Sequence, residues 1–180
     1  MNGAWVFVCG PSGSGKDSVI ASANQILGEQ PDVVFARRIV TRAPHAGSDH
    51  DPVTEADFDA LVRSDSLSWH WQAHGFFYGI ARRYADAVLE GRTVVINGSR
   101  AHVAGLPLSS ARRLVTVTAS TAHLTERLLR RGRESDNAIT ERMARNSHFM
   151  NLAADHQVVN DTELLAAGRQ LADYLISLGR

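Results

Sequence analysis

The chain has 180 residues, enough for one domain with a substantial core. Lys plus Arg and Asp plus Glu stand at 19 each, so the formal charge is zero and the basic surplus of a nucleic-acid or membrane-surface protein is missing. Cys9 is the sole cysteine, which excludes an internal disulfide, and no apolar stretch approaches the length of a membrane span. No basic start or cleavage site precedes the first apolar run, so a cytoplasmic protein is expected, with neither nucleic acid nor membrane as partner. Composition says nothing of oligomeric state.

Ala4–Cys9 reads as a strand and Lys16–Leu27 as an amphipathic helix. A second strand is expected within 32–40. A short helix over 54–62 carries Thr54 as its cap and Asp57 as a weak capping box. Leu67–Ala73 and 76–80, split by Gly75, read as short antiparallel strands. A helix over 82–89 ends before Gly91. Thr93–Asn97 and 114–118 are continuous apolar runs and so buried strands. Helices over 120–131 and 138–150, a strand at His156–Val159 and a helix over 162–178 complete the chain. Strands alternating with helices predict an α/β fold, a parallel sheet covered on both faces. The stretch of about 42–80 breaks that rhythm and reads as an inserted acceptor-binding lobe within a single domain.

The run GPSGSGKDSV, between the first strand and first helix, has the layout of a phosphate-binding loop. Gly10, Gly13 and Gly15 let the backbone turn and aim successive N–H groups inward, and the helix adds its positive end. Pro11, Ser12 and Ser14 complete the loop. Lys16 supplies a mobile cation for the outer phosphates of a nucleotide. Asp17 stands where Ser or Thr usually follows the lysine, and Ser18 comes one later. Asp17 either orients water on Mg²⁺ or turns away to cap its helix, and Ser18 is a second candidate for the metal.

Arginines cluster in three places. Arg38 and Arg42 share a face if 37–42 is extended, and read as either a dianion clamp or a solvated strand end. Ligands bind beyond the carboxyl ends of parallel strands, which favours the clamp. Arg127, Arg130, Arg131 and Arg133 surround Gly132, an arrangement suited to a mobile lid or to an ordinary charged helix end. Arg142 and Arg145 follow. None of the eight histidines sits in a zinc-binding spacing. His50, beside Asp49 and Asp51, reads as part of a small metal or phosphate site or as a polar contact within the lobe. Trp69 and Trp71 alternate as core residues would, whereas Tyr78, between Gly75 and Gly79, is placed to present its hydroxyl to a ligand.

The GPSGSGK loop, Thr41-Arg42-x-Pro44-x-x-Gly47, Tyr78-Gly79, RRGRES and Asn160-Asp161 together resemble the guanylate-kinase family of P-loop kinases over nearly the whole chain. The resemblance implies a three-layer P-loop NTPase fold with an inserted acceptor lobe, an arginine-bearing lid at about 131–140, and ATP and Mg²⁺ as cofactors. It puts Arg42 and Tyr78 on the acceptor phosphate, Arg131 and Arg133 on the ATP phosphates, and Asn160 near the adenine. Four departures follow. Trp69 stands where the family has an acidic guanine reader, and an aspartate expected around 97–99 is missing. His50 replaces a tyrosine that grips the acceptor phosphate, and Arg38 replaces a serine at that phosphate. The site has lost its base readers and gained positive charge. These changes, with HWQAHGFFYGI and RRIVTR, are similar to the branch that phosphorylates ribose 1,5-bisphosphate to phosphoribosyl diphosphate (PRPP) during phosphonate breakdown. Arg38, Arg42, His50, Trp69 and Tyr78 are then the acceptor-binding set. The alternatives are a guanylate or other nucleoside-monophosphate kinase, and a non-catalytic module that binds proteins. Retention of Lys16 and the loop glycines argues against the module.

Overall fold

The computed structural model describes residues 3–11, 13–44, 49–107, 109–130 and 153–179, with the backbone alone for 128–130. Ala4–Cys9 has no charged side chain and is buried along its whole length. A strand that is apolar on both faces needs cover on both, and this one, β1, lies at the centre of a parallel sheet. Its neighbours are β7 (Thr93–Asn97) and β8 (Arg112–Thr118), with β2 (Val33–Phe35) outside β7 and β9 (His156–Val159) outside β8. Side-chain alternation sends Val6 and Val8 to one face and Trp5, Phe7 and Cys9 to the other.

The first face is covered by α1 (Lys16–Leu27) and α6 (Leu164–Ser177), which bury Val19, Ala23, Leu171 and Leu175 against the sheet valines. The second face is covered by α3 (Arg83–Leu89), α4 (Arg100–Ala104) and part of a second sheet. That sheet has the order β4-β3-β6-β5, from β4 (His50–Pro52), β3 (Arg38–Val40), β6 (Phe76–Ala81) and β5 (Leu67–Ala73). The β5–β6 hairpin turns through His74 and Gly75, with φ of 53° and 78°, the paired positive angles of a tight two-residue turn. Trp71 and Tyr78 face the parallel sheet, while Phe77 stacks outward on Phe58 of α2 (Glu55–Arg63) at 5.6 Å. Thr54 caps α2: its Oγ1 accepts from the Asp57 amide at 3.1 Å and donates to the Asp57 carboxylate at 2.7 Å, as the sequence predicts.

The expected single strand over 32–40 divides between the two sheets. The Ala36 amide still bonds Val95 at 2.8 Å, but the Arg37 amide donates to the Tyr84 hydroxyl at 2.9 Å. The Arg37 guanidinium is claimed by Asp49, Asp51 and the His50 carbonyl, so the chain crosses to the second sheet there. The second sheet therefore starts at Arg38, ahead of the lobe boundary read from sequence. β4 and α4 were not expected, because neither short segment carries an apolar period. α5 (Thr121–Arg130) forms where predicted, and the helix expected over 138–150 lies outside the described residues.

Helices α1 and α6 cross at a glycine. A Cβ on Gly168 would lie 2.2 Å from Ser22 Oγ, 2.6 Å from its Cβ and 3.2 Å from its backbone carbon. The helix-propensity gain of alanine is about 1 kcal/mol, but part of this obstruction is backbone and cannot rotate away. Gly168→Ala should cost a net of about 1 kcal/mol or more, lowering the melting temperature by about 2–4 °C per kcal/mol. A urea melt with an unchanged midpoint would mean that the two helices separate freely.

Candidate active site

The loop from Gly10 leaves β1 at the carboxyl edge of the sheet and turns into α1 at Gly15, whose φ is 77°. A Cβ at Gly15 would stand 2.5 Å from Asn160 Nδ2, so both conformation and space demand glycine there. The Gly15 carbonyl accepts the Val19 amide at 2.9 Å, and no side chain caps the helix start. Its first N–H groups and dipole are aimed where an anion would sit.

Beneath the loop, Asn160 is buried and donates from Nδ2 to the Ser14 carbonyl at 2.7 Å. Arg127 on α5 donates to the Asn160 carbonyl at 2.9 Å and to the Ser14 carbonyl at 3.4 Å. Asp161 joins the same support, accepting from the Ser120 amide at 2.5 Å and contacting His123 Nδ1 at 3.1 Å. A cavity of about 330 Å³ opens beside these groups, lined by Gly13, Gly15, Ser18, Arg127, Asn160, Thr162 and Leu164. Asn160, expected near an adenine, has its side-chain amide occupied by the loop. Arg127 was legible in sequence only as one of several clustered arginines, and packing singles it out.

Lys16 and Asp17 form a closed triangle with Asn97 at the end of β7. Lys16 Nζ contacts Asp17 Oδ1 at 2.9 Å and donates to Asn97 Oδ1, and Asn97 Nδ2 donates to Asp17 Oδ1 at 2.6 Å. Burial pushes the Lys16 ammonium below the usual lysine range, aided by Arg38 and opposed by Asp17. Burial also works against the charge of Asp17. The Lys16 ammonium, the hydrogen bonds from Lys16 and Asn97 and the charge of Arg38 outweigh it and hold the carboxyl well below the usual carboxylate range. The capping role considered for Asp17 is not what the structure shows, since its carboxylate is engaged by Lys16 and Asn97. Asn97 fills the place at the strand end where an aspartate was missed, with an amide that adds no second negative charge.

Across from the loop, Arg38 lies over the Tyr78 ring at 5.8 Å and Arg42 over Phe76 at 5.7 Å. Both Nε atoms are buried without a partner among the described residues. Desolvation lowers the Arg38 pKa, partly offset by Asp17 and Tyr78. The bend carrying Arg42 is pinned by Thr41, whose amide donates to the Phe77 carbonyl at 3.1 Å and whose hydroxyl accepts the Phe77 amide at 2.9 Å. His50 is 3% exposed, with Nε2 3.0 Å from the Arg42 carbonyl. One of its nitrogens therefore holds the Arg42 bend. Tyr78 is 6% exposed, stacks on Trp71 and offers a ring face beneath Arg38. Trp69 packs edge-on against Trp5 and Phe7 at 5.7 and 5.4 Å. Ser12, Arg131, Arg133 and the expected lid lie outside the described residues, as do Arg142 and Arg145.

A phosphate loop with a half-buried lysine, facing one arginine on a second sheet and another just beyond it, is an arrangement for moving a phosphoryl group between anions. No family model matches the chain. Among curated proteins, it is 39% identical to the ribose 1,5-bisphosphate phosphokinase of Thiobacillus denitrificans, over 96% of this chain and 93% of that one. It is 41% identical to the enzyme of the same name from Acidiphilium cryptum, over 97% and 93%. The chain belongs to the ribose 1,5-bisphosphate phosphokinase family. It is a kinase of α/β P-loop fold. The fold is also that of guanylate kinase from Anaplasma phagocytophilum, with a TM-score of 0.70, 16% identity and coverage of 98% of this chain and 86% of that one.

The support beneath the kinase loop can be tested directly. Asn160→Ala leaves the buried Ser14 carbonyl with only the long contact from Arg127, at a cost of about 1–3 kcal/mol. Nucleotide affinity measured by calorimetry should fall about tenfold or more, and unchanged affinity would show that the loop holds its shape unaided. The depressed pKa of Asp17 has a defined sign. Its contribution to stability is complete above the unfolded value of about 4 and is lost as pH falls through it toward the folded value. Asp17→Asn should flatten the acid side of the stability profile below about pH 4. Parallel profiles for wild type and variant in urea melts would remove the triangle from the energetics.

Proposed function

We propose that the chain transfers the terminal phosphoryl group of ATP to the 1-phosphate of ribose 1,5-bisphosphate, giving 5-phosphoribosyl 1-diphosphate (PRPP) and ADP. A new P–O bond forms from an oxygen of the acceptor phosphate, and the bond from the γ-phosphorus to its bridging oxygen breaks. The acceptor oxygen is already ionised near neutral pH, so no strong general base is needed. Catalysis reduces to alignment and neutralisation of charge in a loose transfer. The names of the relatives support this reading, and the resemblance drawn from sequence adds phosphonate breakdown as its setting. A cytoplasmic location, where ATP is plentiful, is part of it.

The observation that carries the proposal is the acceptor face. Arg38 and Arg42 present half-buried guanidinium groups, each with its Nε out of water, whereas the position of a base reader holds Trp69. An indole has one donor and no acceptor, and cannot pair with the donor edge of guanine. Guanidinium groups match dianionic phosphates, and a sugar with a phosphate at each end offers two. Lys16, the loop amides and Arg127 would hold the nucleotide. Arg131 and Arg133 would close over its phosphates, a role taken from the family resemblance.

Mg²⁺ fits the residues present. Among the described residues no group of three or more His, Cys, Asp or Glu could hold a metal alone. Mg²⁺ is commonly bound by one or two carboxylates together with substrate phosphates, which is what Asp17, with Ser18 beside the cavity, can offer. When bound, the ion would neutralise charge on the transferring phosphate.

The test is a panel of acceptors with ATP and Mg²⁺. Ribose 1,5-bisphosphate should be preferred to GMP by several orders of magnitude, roughly the discrimination that mismatched polar sites achieve. Arg38→Ser should lower turnover of the bisphosphate by about a hundredfold. It should weaken binding of that acceptor more than of ribose 5-phosphate. Saturable phosphorylation of GMP with ribose 1,5-bisphosphate inert would overturn the proposal in favour of a guanylate kinase.

A further inference from the structure

Helix α4 begins just beyond Asn97 and carries His102 into the seam between the two sheets. The His102 ring stacks on Trp71 at 4.9 Å with an interplanar angle of 21°. Trp71 stacks on Tyr78 at 5.5 Å and 5°, and Tyr78 lies beneath Arg38. Trp69 closes the side of this column, 6.2 Å from His102, with Phe7 at 6.1 Å from the same imidazole. Centroids at these spacings are rings in contact, with no room for another ring between them. Burial, with His70 and Arg112 nearby, pushes the His102 imidazole down, so it sits in the column as a neutral aromatic.

An acceptor held at Arg38 and Arg42 would have its body toward this seam, since Arg38 lies over Tyr78. A nucleotide acceptor of the same phosphate placement would need an aromatic or apolar face on which to lay its base. The aromatic faces of the seam are already spent on one another. Of the rings involved, Trp71 and Tyr78 belong to the buried core, whereas His102 is half-buried on the short helix α4.

We infer that His102 is a specificity-determining residue: stacked on Trp71 and edge-on to Trp69, it fills space at the seam that an acceptor's base would occupy, so that base-free sugar phosphates are admitted and nucleoside monophosphates are not. This rests on the acceptor reading proposed above. It adds a steric barrier to the loss of base readers, and assigns that barrier to one removable side chain.

The experiment measures the ratio of kcat/KM for GMP to that for ribose 1,5-bisphosphate in wild type, His102→Ala and His102→Phe. Removing the ring should raise the ratio about tenfold or more, the range that a change of pocket volume commands. Phenylalanine keeps the ring and drops the buried Nε2, which has no partner, and should hold the ratio within about threefold of wild type. GMP titrated against tryptophan fluorescence gives a second readout without turnover, and should show tighter binding to His102→Ala alone. A folded His102→Ala variant, by circular dichroism, with wild-type discrimination and wild-type GMP affinity would overturn the inference and leave the acceptor assignment standing. A wild-type enzyme that prefers GMP would overturn both.

Discussion

The Lys16 ammonium is a charge partly withdrawn from water, and much of the architecture answers to that. An unpaired buried cation would lose its proton or unfold its surroundings. Here its surroundings are a carboxylate from the next residue and an amide from a different strand. Asn97 reaches it because β7 pairs in parallel with β1, which brings both carboxyl ends to the same edge. The hand of the βαβ connection and the adjacency of those strands therefore decide whether the lysine can be held at all. With a nucleotide bound, the phosphates would take over the role that Asp17 plays without it.

The second organising feature is the aromatic seam. β5 and β6 present Trp69, Trp71 and Tyr78 to the parallel sheet, where Trp5, Phe7 and His102 meet them. The seam packs the acceptor face against the strand that leads into the phosphate loop, since Phe7 lies two residues before Cys9 at the loop's entrance. It also explains the electrostatics of Arg38. The guanidinium rests on a ring face with its Nε out of water, a state costly for a free protein and well suited to a dianion. Half-buried cations on both sides of a cleft, in a chain of zero formal charge, concentrate the positive potential where phosphate would bind.

How legible these features were depends on the range of the interactions that make them. β1, β7, β9, the β5–β6 hairpin and the Thr54 cap were readable because runs of buried apolar residues and short-range hydrogen bonds are written along the chain. The break at Ala36-Arg37 was not. It depends on Tyr84, Asp49 and Asp51, which are distant in sequence and claim the Arg37 groups only after folding. His50 and Tyr78 were recognised as belonging to the acceptor lobe, but their burial depends on tertiary packing, that of Tyr78 on the second sheet meeting the parallel one.

By itself the sequence determined the phosphate loop, the alternation of strands and helices and the arginines of the acceptor segment, because each is a local pattern of residue type and spacing, whereas the loss of an acidic base reader was legible only through the family resemblance. Only the tertiary structure decided that Asp17 turns to Lys16 and Asn97, that Asn160 and Arg127 brace the loop, and that His102 joins the tryptophans. Those contacts join residues from separate elements. Their partners are chosen by strand order and by the packing of one sheet on the other, neither of which any single stretch of the chain encodes.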